Sequence, residues 1–191
     1  MVCLPVMTEE ACGDAWALHQ TRERALIMLA DGLGHGPDAA EASAAAVDIF
    51  DNYSRNGPAE MIERMHATML STRGAAVAVT ELLWDRRVVR FAGVGNISGR
   101  IFSRDAFHNM VSYNGTVGLE ARNIVEVTYP WPEDGLLVLH SDGLATHWNL
   151  DDYPGLRGRN PALIAGVLFR DYNRVRDDST VVVIRETRSS P

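Results

Sequence analysis

The sequence predicts an antiparallel α+β fold whose helices pack outside the strands. Short apolar runs rich in branched residues, such as 25–30, 136–139 and 181–184, are typical of buried strands. Most of the predicted strands follow one another through short turns, whereas the predicted helices fall into a few blocks that begin at prolines. Because segregated helices cover the outside of sheets built from consecutive strands, we expect an α+β architecture.

A hairpin followed by two helices is expected in the first part of the chain. The polar residues Thr21–Arg24 should turn the first predicted strand back onto the second. Pro37 should begin a helix rich in Ala, Glu and Asp, since proline is favourable at the first helical position. Asn56-Gly57-Pro58 should end that helix and begin another with an apolar face. The expected elements are strands 14–19 and 25–30 and helices 37–54 and 58–70.

The rest of the chain is expected to be mostly strands, with one further helix before the last of them. Asp85-Arg86-Arg87 should form the turn of a hairpin. Val125, Val127 and Tyr129 alternate with polar residues, which indicates a sheet with one solvent-exposed face. The expected elements are strands 75–84, 88–92, 99–103, 109–112, 125–129 and 136–139, helix 161–172 and strand 179–184.

The charge of the chain restricts its partners and its chemistry. The formal net charge is −7, which argues against a nucleic acid or an anionic membrane as partner. All 18 basic residues are arginine. A Walker-type phosphate loop, a Schiff base and a kinase-type ATP clamp each need a lysine, so these mechanisms are excluded.

The length and the N-terminal region favour one cytoplasmic domain over residues 1–191. No apolar stretch is long enough to span a membrane, and residues 1–5 lack the pattern of a secretion signal. Cys3 and Cys12 have no further Cys or His partners in a zinc-binding pattern. We therefore expect them to be free thiols.

Three aspartates stand at the ends of apolar runs. Asp31 follows the run 25–30, Asp142 follows the run 136–139, and Asp177 comes just before the last predicted strand. We expect them to meet at the same edge of one sheet. Like charges gathered there would repel one another unless a cation lay between them. Because all the donors are carboxylate oxygens, the pattern predicts a Mg²⁺ or Mn²⁺ site rather than a zinc site.

Two other interpretations of these segments are weaker. The glycine-rich stretch 32–36 could be a nucleotide phosphate loop. However, Asp31 would then lie beside the pyrophosphate, and a second helix follows where a βαβ unit needs a strand. Ser141 follows His140 but does not lie in a Gly-x-Ser-x-Gly motif, which argues against a serine hydrolase.

Five short motifs occur in a fixed order along the chain. They are Cys12-Gly13-Asp14-Ala15-Trp16, Ala30-Asp31-Gly32-Leu33-Gly34-His35-Gly36, Ala92-Gly93-Val94-Gly95-Asn96, Ser141-Asp142-Gly143 and Arg176-Asp177-Asp178-Ser179-Thr180. In this order the motifs resemble those of the metal-dependent serine/threonine protein phosphatases of the PPM (type 2C) superfamily. Within it, the chain is most similar to the SpoIIE branch, particularly small stand-alone stressosome phosphatases of the RsbX type. The resemblance covers nearly the whole chain.

This resemblance implies an αββα sandwich of two antiparallel sheets with a Mn²⁺ or Mg²⁺ pair at one edge. By the same resemblance, Asp31 would bridge the metals and the Gly32 carbonyl would help to hold one of them. Asp142 and Asp177 would complete the shell of the other. Asp14 matches an early acidic position of the metal site. The alignment of the last motif favours Asp177 over Asp178 as the ligand.

The chain departs from the family pattern at two positions. Many eukaryotic members have a phosphate-binding arginine near the N-terminus, and no counterpart stands beside Cys12-Gly13-Asp14. Their proposed general-acid histidine directly follows the Asp-Gly pair. Here Leu33 takes that place, and His35, two residues later, is the remaining candidate for a catalytic histidine.

The resemblance implies hydrolysis of phosphoserine or phosphothreonine on a protein by a metal-activated water. The implied substrate is a phosphorylated STAS-domain protein, either a stressosome component or an anti-sigma antagonist of a bacterial signalling pathway. The alternative is a non-catalytic regulator that has the same fold and binds a phosphoprotein. A metal-dependent nuclease is disfavoured, since the chain is acidic and has no basic stripe.

Overall fold

A computed structural model describes residues 1–104 and 106–186, which form two five-stranded antiparallel sheets and three α-helices. The strands are β1 (Val2–Leu4), β2 (Asp14–Gln20), β3 (Arg24–Gly32), β4 (Ala75–Leu83), β5 (Val88–Val94), β6 (Ser98–Phe102), β7 (Phe107–Met110), β8 (Glu126–Pro130), β9 (Leu136–His140) and β10 (Ser179–Arg185). The helices are α1 (Pro37–Asn52), α2 (Pro58–Thr68) and α3 (Pro161–Tyr172).

The two sheets stack face to face between the helices. The first sheet has the strand order β2-β3-β4-β5-β8, and the second has the order β1-β10-β9-β6-β7. Helices α1 and α2 pack on the outer face of the first sheet, and α3 packs on the outer face of the second. This four-layer αββα arrangement confirms the expected fold class.

Alternation along β3 shows why the first sheet lies between two apolar layers. Leu26 and Met28 pack towards α1 and α2, whereas Ile27 and Leu29 pack towards the second sheet. All four side chains are at most 1% exposed. Burying a large aliphatic side chain contributes about 1.5–3 kcal/mol, so a strand that is apolar on both faces is strongly held in the middle of the molecule. Strand β9 is apolar on both faces in the same way.

Prolines begin all three helices, as the sequence predicts for α1 and α2. Each of Pro37, Pro58 and Pro161 stands in the first turn, where its missing N–H leaves no hydrogen bond unmade. Asn160 caps α3, because its side-chain oxygen accepts a hydrogen bond from the Ala162 N–H. Helices α1 and α2 each end two residues before the predicted boundary.

The N-terminal region departs from the expectation. The first strand is β1, not the predicted strand 14–19, and it pairs with β10 at the edge of the second sheet. Three residues are too few to show an alternating pattern, and Leu4 is exposed. Cys3 of this strand is a free thiol 3.7 Å from the free thiol of Cys12. Strand β7 also lies two residues earlier than the predicted strand 109–112.

In the described part of the chain, no helix is both long and apolar enough to cross a bilayer.

Candidate active site

Asp31, Asp142 and Asp177 line one cavity of about 460 Å³. Asp31 lies near the end of β3, Asp142 follows β9, and Asp177 precedes β10. The expectation that they meet at the edge of one sheet is wrong, because β3 belongs to the first sheet and β9 and β10 to the second. β9 and β10 are antiparallel neighbours, so Asp142 and Asp177 lie at the same end of the second sheet. The cavity therefore opens where the ends of the two sheets meet.

Asp14 lies beside Asp31 but does not line this cavity. The two residues are directly opposite each other in the register of β2 and β3. Asp14 is only 4% exposed, and its Oδ2 accepts a hydrogen bond of 2.6 Å from Ser141 Oγ in the second sheet. Its other oxygen, Oδ1, is buried and has no hydrogen-bond partner in the described residues. Because a buried polar atom without a partner is costly, this oxygen is suited to an external ligand.

Burial and mutual repulsion disfavour the charged forms of these aspartates. Burial, followed by the charges of Asp14, Asp142 and the Asp177–Asp178 pair, raises the pKa of Asp31 to about 9. Burial raises the pKa of Asp14 to about 7, although the Ser141 hydroxyl opposes the change. The pKa of Asp177 is also raised, again mainly by burial. Without a cation, Asp31 is therefore protonated at neutral pH.

The donor set fits a hard divalent cation, but the carboxylates do not enclose an ion on their own. The three aspartates supply only oxygen atoms, which Mg²⁺ and Mn²⁺ prefer, and the described residues that line the cavity include no arginine. Within residues 1–104 and 106–186, no group of three acidic, His or Cys side chains has the compact spacing of a metal site. Asp142 Oδ2 already accepts a 2.5 Å hydrogen bond from Asn96 Nδ2, which also lines the cavity.

Gly32 occupies a tightly packed position beside this cavity. Its N–H donates to the Gly13 carbonyl at 3.0 Å, and a Cβ on Gly32 would collide with the backbone of Ala39 in α1. Glycine is thus required for the close approach of β3 to the helix. The next two residues, Leu33 and Gly34, line the cavity. The role of the Gly32 carbonyl as a metal ligand stays a prediction.

His35 is not among the residues that line the cavity. Its Nδ1 donates to Glu9 Oε1 at 2.8 Å, and its side chain is 54% exposed. It still lies close enough for its charge to favour the ionised form of Asp177. The structure therefore places this candidate catalytic histidine at the rim, paired with a carboxylate, rather than among the aspartates.

The adjacent residues Asp177 and Asp178 have different surroundings. Asp178 is 2% exposed, and its two carboxylate oxygens accept hydrogen bonds of 2.8 Å from the Val6 and Gly13 N–H groups. Asp177 lines the cavity and accepts one hydrogen bond, from the Asp178 N–H at 2.9 Å. Asp178 therefore ties the N-terminal segment to β10, whereas Asp177 keeps oxygen atoms available to a ligand.

Other polar residues of the cavity had no role in the sequence interpretation. Asn96 contacts Asp142, and Asn114, Thr116 and Gly95 also line the cavity. Gly95 and Asn96 belong to the motif Ala92-Gly93-Val94-Gly95-Asn96, and this motif is the sequence signal that points to their place in the site. Asn114 and Thr116 stand between β7 and β8, where no strand or helix pattern marks them.

The sequence and the fold both match known proteins. Residues 21–186 match the family of stage II sporulation protein E (SpoIIE). The chain is 27% identical over 135 residues to phosphoserine phosphatase RsbX of Bacillus subtilis (strain 168). The aligned segment covers 70% of this chain and 67% of that protein.

Two solved structures share the fold over almost the whole chain. One superposes with a TM-score of 0.87 and 25% identity, and the match covers 96% of both chains. It comes from work on the bacterial stressosome as a modular system that has been adapted to control secondary-messenger signalling. A crystal structure of RsbX in complex with magnesium superposes with a TM-score of 0.82 and 23% identity, covering 95% of this chain and 91% of that one.

Proposed function

The chain belongs to the SpoIIE family of PP2C-type phosphatases, and from that premise we propose that it is a serine/threonine protein phosphatase. Its reaction is the hydrolysis of phosphoserine or phosphothreonine on a bacterial signalling protein. The observation that carries the proposal is the convergence of Asp31, Asp142 and Asp177 from both sheets on one cavity. The similarity to a phosphoserine phosphatase supports the reaction class.

The residues that would hold Mn²⁺ or Mg²⁺ are Asp31, Asp142, Asp177 and the Gly32 carbonyl, with Asp14 behind them. Bound divalent metals lower the pKa of a water molecule and stabilise negative charge on phosphoryl oxygens. Burial, together with the negative charge of the neighbouring aspartates, raises the pKa of Asp31, and a cation would relieve that repulsion. A bound cation would therefore favour the ionised carboxylate of Asp31.

The side chains around the cavity leave water as the nucleophile. Ser141 Oγ is buried, donates to Asp14 Oδ2 and accepts from the Thr180 N–H, so it cannot attack a substrate. Neither cysteine of the chain lines the cavity. Because the aspartates of the cavity are assigned to the metal ions, and neither Ser141 nor a cysteine is placed to attack, direct attack of water on phosphorus is the reaction that fits.

The proposed substrate is a phosphorylated STAS-domain protein of a stressosome or of an anti-sigma antagonist pathway. Two findings support this choice: the similarity to RsbX and the shared fold with a structure from work on the bacterial stressosome. The cavity is open and is lined by exposed residues such as Leu33, Gly34 and Asn114, so it is accessible to a phosphoresidue on a protein surface.

The proposal is tested by phosphate release from a phosphoserine peptide and from p-nitrophenyl phosphate with Mn²⁺ or Mg²⁺. We expect turnover by the wild type, no turnover in excess EDTA, and a loss of turnover in Asp31→Asn. Asp85→Asn is the matched control, since Asp85 is exposed in the β4–β5 turn. Full activity of Asp31→Asn, or of the wild type in excess EDTA, would exclude a metal-dependent mechanism.

A second candidate function is a non-catalytic regulator that binds a phosphoprotein. The observation that favours it is the absence, among the described residues, of three side chains already spaced to hold one ion. Binding of the phosphopeptide by the wild type, without phosphate release under any divalent metal tried, would support this function. Metal-dependent turnover would exclude it.

A further inference from the structure

A second cavity adjoins the one lined by aspartates. It has a volume of about 350 Å³, and its wall includes Gly95 and Asn96, which also line the first cavity. Its other walls come from β6, from β7 and from the segment after β9 that carries Thr146 and Trp148. The second cavity is therefore within reach of residues that flank a phosphoresidue bound in the first.

Arg100 lies in the wall of this second cavity. Its guanidinium stacks 4.4 Å from the ring centroid of Trp148 and 4.7 Å from that of Phe107. Its Nε donates to Asn109 Oδ1 at 3.0 Å, and its Nη1 donates to the Trp148 carbonyl at 3.1 Å. These neutral contacts fix the plane of the guanidinium. They leave Nη2 without a partner in the described part of the chain.

The charge of Arg100 is not neutralised by the residues that the structure describes. Several other half-buried arginines there have carboxylate partners: Arg24 and Arg90 pair with Glu81, and Arg157 pairs with Asp151, whereas Arg185 donates only to backbone carbonyls. Arg100 has no such ion pair, and partial burial lowers its pKa because the cation loses hydration. A bound anion would restore the lost stabilisation. The planar fork of the guanidinium matches a carboxylate geometrically.

We propose that the second cavity is a substrate subsite in which Arg100 binds a carboxylate side chain close to the phosphorylated residue. The inference rests on the proposed phosphatase function and adds a sequence preference to it. The enzyme carries a net charge of −7 and an acidic first cavity, which together repel an acidic substrate. A local unpaired cation beside that cavity selects substrates that place Asp or Glu against it.

The test compares matched phosphopeptides that carry either Glu or Gln within about four residues of the phosphoserine, on each side in turn. The quantity measured is the ratio of kcat/KM for the Glu peptide to that for the Gln peptide. We expect a ratio of about five for the wild type at the correct position, since a favourable partly buried ion pair contributes up to about 1 kcal/mol. The ratio should fall to about one in Arg100→Gln.

The control is Arg64→Gln, because Arg64 also stacks on an aromatic ring but is exposed, pairs with Glu60 and lines neither cavity. It should keep the wild-type ratio. Arg100→Lys should retain part of the preference, since it keeps the charge but loses the planar fork. Thermal unfolding of each variant checks that it is folded.

Three results would overturn the subsite. The first is a wild-type kcat/KM ratio of one at every position, and the second is an unchanged ratio in Arg100→Gln. The third is competitive inhibition by inorganic phosphate that depends on Arg100 while the Glu/Gln ratio stays at one, because Arg100 would then bind phosphate rather than a carboxylate side chain. Binding of the Glu and Gln peptides to Asp31→Asn, measured by fluorescence anisotropy, gives the corresponding ratio of affinities without turnover. A failure of phosphatase activity is thereby distinguished from a failure of the subsite.

Discussion

Glu81 and Asp31 are acidic residues on neighbouring strands of one sheet, yet their charges are compensated in opposite ways. Glu81, on β4, is 3% exposed and pairs with Arg24 at 2.6 Å and Arg90 at 2.7 Å. Arg90 extends this network to Glu126 on β8 at 2.7 Å. Asp31, on β3, lies near other aspartates, and its cavity has no arginine among the lining residues that the structure describes.

The difference separates a structural acid from a functional one. The arginines that pair with Glu81 neutralise its charge, and removing Glu81 would take from both half-buried guanidinium groups a buried carboxylate partner. Asp31 raises the energy of the folded protein when it is ionised, so its position is unfavourable unless a ligand binds there. Four predictions test this distinction.

The largest effect is expected in activity. Asp31→Asn should lower kcat/KM for a phosphopeptide by more than about 100-fold, since loss of a residue that merely orients a metal ligand already costs about 10–100-fold. The same change should not lower the free energy of unfolding of the metal-free protein, because Asn removes a carboxylate that burial destabilises. Urea unfolding of both proteins measures this. A large loss of stability would show that Asp31 is a structural acid like Glu81.

Glu81→Gln should have the opposite result. Its free energy of unfolding should fall by about 2–3 kcal/mol, because two guanidinium groups lose their shared carboxylate. The effect is moderated by the 25% and 35% exposure of the Arg24 and Arg90 side chains. The kcat/KM of the folded protein should stay within about two-fold of the wild type, since a change in stability alone leaves the site intact. Glu60→Gln, in an exposed pair with Arg64, should change stability by less than about 0.5 kcal/mol.

Asp177 and Asp178 provide the same distinction within two adjacent residues. Asp178→Asn should lower the free energy of unfolding by about 1–2 kcal/mol, because it weakens the charge-assisted bonds from the Val6 and Gly13 N–H groups. Asp177→Asn should leave stability nearly unchanged and weaken the affinity for Mn²⁺. Isothermal titration with Mn²⁺ and urea unfolding of both variants test the pair. Equal effects in both assays would contradict the assignment of Asp177 to the site.

The last prediction concerns the pH dependence of the stability of the metal-free protein. The pKa of Asp31 is raised to about 9 in the folded state, so the folded state holds more protons than the unfolded state above about pH 4. Stability should therefore fall as pH rises from about 4 to about 9, by more than about 1 kcal/mol. Urea unfolding in EDTA across this range should show a shallower slope for Asp31→Asn. An identical slope in both proteins would show that Asp31 does not cause the dependence.

The sequence allowed most of the fold to be predicted, since apolar runs, prolines and turn residues mark where elements begin and end. The turn at residues 85–87 and helix 161–172 are found where expected. The assignment of strands to sheets was not predictable from such signals, because a strand that is apolar on both faces carries no mark of its partner. For this reason Asp31 was expected in the same sheet as Asp142 and Asp177.

The candidate site was predictable at the level of its acidic residues but not of their neighbours. Asp31, Asp142 and Asp177 could be identified because each stands at the end of an apolar run. The contact of His35 with Glu9 depends on how the N-terminal segment folds over the glycine-rich loop. The stacking of Arg100 on Trp148 joins residues from separate segments, and no local pattern reports such a contact.

The hydrogen bond from Ser141 Oγ to Asp14 Oδ2 crosses from one sheet to the other next to Asp31. Elsewhere the spacing of the sandwich depends on interdigitated aliphatic and aromatic side chains, whose volumes can change together during evolution. Because this hydrogen bond ties the two layers together at one end, we expect such repacking to change the distance between them more at the opposite end. The interior can therefore diverge in sequence while the distances that matter for phosphoester cleavage stay the same.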